Sequence, residues 1–233
     1  MKPAPIDETP ADVLIVDPPW KYKNFTDAKH SSSRSAMHVM EDEDIVDLPI
    51  GRWANPKGCI LFLWGVFPRL FDAHPRVPVL SRCATSWGFD QFVTSIPWVK
   101  TIPGDVLDLR SVMGFWSRGA CELLTIWRRG KVSRDLVAFP RRETPVGLLY
   151  GDRAAGEEVA FYAPPGKKHS GKPLLLHEYI ERGYPGSHLE IFARRPRPNW
   201  RTWGNETGFW IDADGVRRIP DVASSEDPMR PLF

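Results

Sequence analysis

The sequence predicts an α/β domain built on a mostly parallel, twisted sheet flanked by helices. Three stretches carry that reading. Residues 13–16 (VLIV) are a short apolar run stopped by Asp17-Pro18-Pro19-Trp20. Residues 58–67 (GCILFLWGVF) are a second apolar run, and residues 174–182 (LLLHEYIER) show helical spacing ahead of HLEIFAR. Apolar runs bounded by breakers read as buried parallel strands. Alternation of strands with helices is the signature of an α/β sheet.

Taken in order, residues 1–10 form a loose lead-in. The DPPW turn must end the first strand, because proline cannot donate to a sheet ladder. Residues 21–38 (KYKNFTDAKHSSSRSAMH) are polar and aperiodic, and a long loop leaving the end of a strand reads as an active-site loop. Residues 41–48 (EDEDIVDL) start a helix, their acids suited to the positive end of its dipole. A helical pattern over 71–87 is broken by Pro75 and Pro78. Residues 92–100 (FVTSIPWVK) predict a third strand and 122–127 (ELLTIW) a fourth. Residues 131–158 read as a variable insertion, and 158–163 as a strand. The helix over 174–182 is expected to stop with Gly183 at the C′ position. The last strand is read at 188–194, and residues 208–233 as a peripheral tail. A single domain over 11–207 follows, a size compatible with 233 residues of which 42% are hydrophobic.

Composition narrows the function classes. A net charge of +2 creates no global field, so any basic surface must be local. Cys59, Cys83 and Cys121 form no CxxC pair, which excludes an all-cysteine zinc site and a disulfide framework. No histidine pair shows HxxxH spacing, so no metal is expected. The apolar runs fall short of the ~20 residues of a membrane span, and the first ten residues lack the apolar core of a signal peptide. A soluble, cytoplasmic protein is expected.

Ligands of open α/β sheets bind at the carboxyl ends of the strands, where Asp17 is predicted to lie. Its carboxylate can accept from an exocyclic NH2, the carbonyls of Pro18 and Pro19 can do the same, and Trp20 offers a face for a base. Such stacking is worth roughly 1–3 kcal/mol. A plain Pro-rich turn with a packed Trp is the alternative on these four residues alone.

Further islands follow in a fixed order: LFLW (61–64), WGF (87–89), WVK (98–100), GFWSRGACE (114–122), HSGKP (169–173), LEIFARRPRPNW (189–200) and WGNE (203–206). Together with DPPW they resemble the S-adenosylmethionine-dependent adenine-N6 methyltransferases of the mRNA-adenosine methyltransferase family, especially its compact bacterial and phage members. The resemblance implies a Rossmann-like methyltransferase fold with permuted motif order. It implies a target-adenine pocket of Asp17, Pro18, Pro19 and Trp20. It implies donor binding by Asp17, Lys172, Glu190, Arg194, Asn205 and Glu206, with S-adenosylhomocysteine as product and no metal. The chain departs from the family at His38-Val39, at Cys121 and in the length of residues 133–157.

The substrate implied is nucleic acid, DNA ahead of RNA. A non-catalytic nucleic-acid-binding subunit and a protein-amide methyltransferase remain alternatives, and a homodimer or a partner subunit is open. Two basic clusters follow strands and are expected to rim the catalytic face. One contains Arg129, Lys131 and Arg134, the other Arg197 and Arg201.

Overall fold

The computed structural model describes residues 9–21, 39–65, 77–102, 105–109, 119–132, 142–144, 147–150, 160–163, 171–194, 196–204, 210–211 and 217–218. Its core is a seven-strand sheet of order β10-β9-β1-β2-β5-β3-β8. In chain order these are β1 (Val13–Val16), β2 (Gly58–Gly65), β3 (Gln91–Ile102), β5 (Cys121–Gly130), β8 (Ala160–Ala163), β9 (His188–Ile191) and β10 (Trp200–Trp203). All point the same way except β5, which is antiparallel to both β2 and β3. The strand β4 (Asp105–Leu109) folds back on β3, and β6 (Arg142–Thr144) with β7 (Gly147–Tyr150) extends the sheet beyond β8. Two short strands, β11 (Trp210–Ile211) and β12 (Arg217–Arg218), pair antiparallel with each other.

Successive side chains of a strand face opposite sides, and both sides of this sheet are covered. Leu14, Val16, Leu61 and Leu63 belong to a core with Ile45 of helix α1 (Asp42–Val46) and Leu80 of helix α2 (Val79–Ser86). Val13, Ile15, Ile60 and Phe62 pack with Leu176 and Ile180 of helix α3 (Leu174–Gly183). This two-sided burial explains why β1 and β2 read as unbroken apolar runs rather than alternating ones.

Several expectations are corrected. Pro78 is the residue preceding α2 and so starts that helix; residues 66–76 lie outside those described. Gly183 is the last helical residue. Tyr184 follows it as the capping residue (φ −137°), its N–H donating to the Ile180 carbonyl at 2.9 Å. The left-handed position falls instead at Gly186 (φ 120°), where a Cβ would come within 2.5 Å of the Asp12 carboxylate. The last strand of the core sheet is β10, beyond the stretch 188–194 read as the last one. Only residues 192–199 connect it to its parallel neighbour β9, shorter than the dozen or so residues of the usual crossover. The strand β9 itself ends at Ile191, because Phe192 turns at φ 65°. The hairpin β6–β7 lies within residues 131–158, and β4 has no counterpart in the sequence reading.

Among the described residues no helix is long and apolar enough to cross a membrane. No cluster of three or more His, Cys, Asp or Glu there is placed to hold a metal ion.

Candidate active site

The strand β1 delivers Asp17 to the carboxyl edge of the sheet, on the side covered by α3. Trp64 near the end of β2 and Lys100 on β3 share that face, as their alternation with core residues shows. Because β5 runs backwards, Glu122 near its beginning arrives at the same edge. Lys172 reaches in from the turn before α3.

The four charged side chains form a chain, each about one-tenth exposed. Lys172 Nζ lies 2.9 Å from Asp17 Oδ1 and 3.0 Å from Glu122 Oε2, and Lys100 Nζ lies 2.6 Å from Glu122 Oε1. Lys172 sits 5.1 Å over the Trp64 ring and Lys100 5.2 Å over the Trp98 ring, favourable positions for a cation. Burial alone would push Lys172 toward the neutral amine, yet Asp17 and Glu122 hold it protonated, above the ordinary lysine value. Burial pushes Glu122 up, but Lys172 and Lys100 bring its carboxyl below the ordinary value. Asp17 goes the other way. Burial pushes it up, Lys172 and Arg194 pull it down, and Glu122 adds repulsion; the net lies above the ordinary value. Glu122 has two ammonium groups and Asp17 shares one, so the two carboxylates are driven apart.

The rest of the edge is tightly knit. Ala193 N–H donates to the Trp203 carbonyl at 2.8 Å, and a Cβ on Gly204 would come within 2.1 Å of the Ala193 oxygen. The turns after β9 and β10 are thereby zipped together, and Arg194 follows with its charge acting on Asp17. Glu190 pairs with His177 of α3 at 3.0 Å, and His177 lies edge-on to Trp200.

The DPPW turn differs from its expectation in two respects. Trp20 is only 4% exposed, and its indole N–H donates to the Trp64 carbonyl at 3.1 Å. That bond draws the ring into the core opposite α3, so its face is packed rather than offered to a base. The Pro18 carbonyl accepts from Trp20 N–H and the Pro19 carbonyl from Met40 N–H, both at 2.9 Å. Each keeps one lone pair for a further donor. The Pro19–Met40 bond also closes the base of the candidate loop 21–38. Of that loop only Lys21, paired with Glu41, is described.

The described residues of the two basic clusters do not sit as expected. Arg129 lies seven residues along β5 from Glu122, roughly 23 Å at strand spacing, at the opposite edge of the sheet. Its guanidinium donates to the carbonyls of Ala54 and Asn55 and covers the Phe89 ring. Lys131 is exposed at that same far edge. The end of a reversed strand is the wrong edge, and sequence does not show the reversal. Arg197 pairs with Glu181 near the end of α3 at 2.9 Å, ahead of β10 rather than at its carboxyl end. Arg201 is half-buried within β10. Arg134, Asn205 and Glu206 lie outside the described residues.

Lys100 and Glu122 are site residues that the sequence reading missed. A signal existed: each is a charged residue in a strand otherwise rich in apolar residues (SIPWVK and ELLTIW), where an unpaired charge would be costly.

The residues at this edge fit a donor of the S-adenosylmethionine type. The carboxylates of Asp17 and Glu190 suit its cationic centres, and Lys172 retains one N–H beyond the two given to Asp17 and Glu122. Trp64 Nε1 and Thr202 Oγ1, both buried toward α3, have no hydrogen-bond partner among the described residues, which leaves polar capacity at the same edge.

This sheet and this edge define a Rossmann-like methyltransferase domain. A family model described as MT-A70 matches residues 11–206, and the chain belongs to the MT-A70 family. It is 30% identical over 200 residues to the human protein named N(6)-adenine-specific methyltransferase METTL4, and 28% identical over 203 residues to the mouse protein of the same name. Each alignment covers 84% of this chain, which spans about 37% of the length of those relatives.

Proposed function

We propose that this protein transfers a methyl group from S-adenosylmethionine to the N6 amine of adenine in nucleic acid, with DNA as the substrate. The observation that carries the reading is Asp17. A buried carboxylate with raised proton affinity ends β1 at the ligand-binding edge, in a chain related to proteins named for adenine-N6 methylation.

When bound, the donor supplies an electrophilic methyl group on a sulfonium. Asp17 accepts a hydrogen bond from the adenine amine, and the free lone pair of the Pro18 or Pro19 carbonyl takes the second N–H. These contacts orient the nitrogen lone pair, and orientation of this kind recovers roughly 7–11 kcal/mol of barrier. As the N–C bond forms and the C–S bond breaks, nitrogen loses one proton, which Asp17 takes up. Lys172 and Arg194 serve the donor carboxylate and Glu190 its ammonium. Asn205 and Glu206 hold its ribose and adenine, roles carried over from the family resemblance. A duplex base must be flipped to reach Asp17.

The test incubates the protein with donor and defined DNA and RNA, then quantifies 6-methyladenine by mass spectrometry. Methylation of DNA is expected. Methylation of RNA alone would move the substrate to RNA, and donor binding with no product would turn the reading to a non-catalytic subunit.

A further inference from the structure

We propose that Glu122, anchored by Lys100, is a positioning residue: by competing for the Lys172 ammonium it leaves Asp17 only a shared counter-charge, so that Asp17 can take up the proton the amine loses. The inference rests on the function proposed above and deepens it.

The geometry is a fork. Lys172 Nζ is held almost equally by Asp17 at 2.9 Å and Glu122 at 3.0 Å, while the other Glu122 oxygen is fixed by Lys100 at 2.6 Å. A single buried pair would have sufficed to neutralise Lys172. With Lys172 to itself, Asp17 would be a stably ionised carboxylate and a weak proton acceptor. Glu122 prevents this in two ways: it draws the ammonium toward itself and places a second negative charge near Asp17. Lys172 and, behind it, Lys100 together keep Glu122 charged in so dry a place, since a buried carboxylate without a full partner takes a proton instead. Among the described residues, the charges acting on Asp17 are Lys172 ahead of α3, Glu122 from β5 and Arg194 after β9. Of these Glu122 alone opposes ionisation of Asp17.

The experiment compares the wild type with Glu122→Gln and with the double variant Lys100→Met/Glu122→Gln, which deletes a charge pair and keeps the site's net charge. Glu122→Asp, one methylene shorter, serves if neither amide variant folds. Two readouts are taken: the titration of the Asp17 carboxyl by carbon NMR, and the pH profile of kcat with KM for nucleic acid. The Asp17 midpoint is expected to fall by about one pH unit. The acid limb of kcat should follow it, the plateau should drop about tenfold as the base weakens, and KM should hold within about twofold. Glu122→Asp should lie between. An unchanged Asp17 midpoint in a folded variant would overturn the proposal and make Glu122 a purely structural partner. The midpoint is read without turnover, whereas the function is decided by product formation in the wild type. If the midpoint shifts while the wild type methylates no adenine, the charge relation stands and the function it serves is overturned.

Discussion

Asp12 and Asp17 bracket the four residues of β1, and the fold treats them in opposite ways. Asp12, at the amino edge, accepts from Asn55 Nδ2 at 2.7 Å, from the Ser187 N–H at 2.9 Å and from Ser187 Oγ at 3.0 Å. Burial pushes its carboxyl up, but the bonds from Ser187 and Asn55 outweigh this and leave it below the ordinary value. Asp17, at the carboxyl edge, is more deeply buried and has one shared ammonium. It ends above the ordinary value. The amino edge spends its donors on closing the structure: Asp12 ties β1 to the turn before β9, and Arg129 ties β5 to the turn before β2. The carboxyl edge leaves a carboxylate under-served. Such an arrangement costs stability and is what a proton acceptor needs.

The sharpest way to break this contrast is to remove each carboxylate. Asp17→Asn should lower methyl transfer by roughly 100- to 10,000-fold while the thermal midpoint holds or rises, as calorimetry beside product mass spectrometry would show. Turnover near the wild-type value in a folded variant would end the role assigned to Asp17. Asp12→Ala should do the reverse. Loss of its charge-assisted bonds is expected to cost about 1.5–3 kcal/mol in urea unfolding, with turnover per folded molecule little changed.

Acidity sharpens the same contrast. The folded Asp12 value is depressed, so its contribution to stability is present above the ordinary carboxylate value of about 3.9 and is lost as pH falls through the folded value. The folded Asp17 value is raised. Its contribution is present below the ordinary value and disappears as pH rises through the folded one. Urea midpoints measured from about pH 3 to pH 8 should therefore show Asp12→Ala converging on the wild type in acid. Asp17→Asn should gain on the wild type as pH rises. Parallel curves for the two variants would contradict the opposite shifts.

The smallest effect concerns the basic cluster at the amino edge. Lys131→Ala should leave the salt dependence of nucleic-acid binding unchanged, because Lys131 lies across the sheet from Asp17. A loss of about 0.9 from the log–log slope on duplex DNA would make it a phosphate contact and bring the substrate's path over that edge.

What was legible from sequence follows from what is local. The VLIV and GCILFLW runs foretold β1 and β2 because two-sided burial leaves an unbroken apolar stretch. The prolines of DPPW foretold where β1 ends, and the LLLHEYIER spacing foretold α3. Order among the islands pointed to the family, since eight short matches in sequence do not arise from composition. Strand direction was not legible. Nothing in ELLTIWRRG distinguishes a strand that runs with its neighbours from one that runs against them. On that single choice depends whether Glu122 or Arg129 stands beside Asp17. Period-two alternation assigns a residue to a face, while pairing across the chain assigns it to an edge. The burial of Trp20 was decided the same way, by a carbonyl of Trp64 that lies 44 residues away in sequence. So was the proton affinity of Asp17. Residue type and position set its chemistry, but the direction of its shift depends on desolvation and on Lys172, Glu122 and Arg194, which only the folded sheet brings within reach.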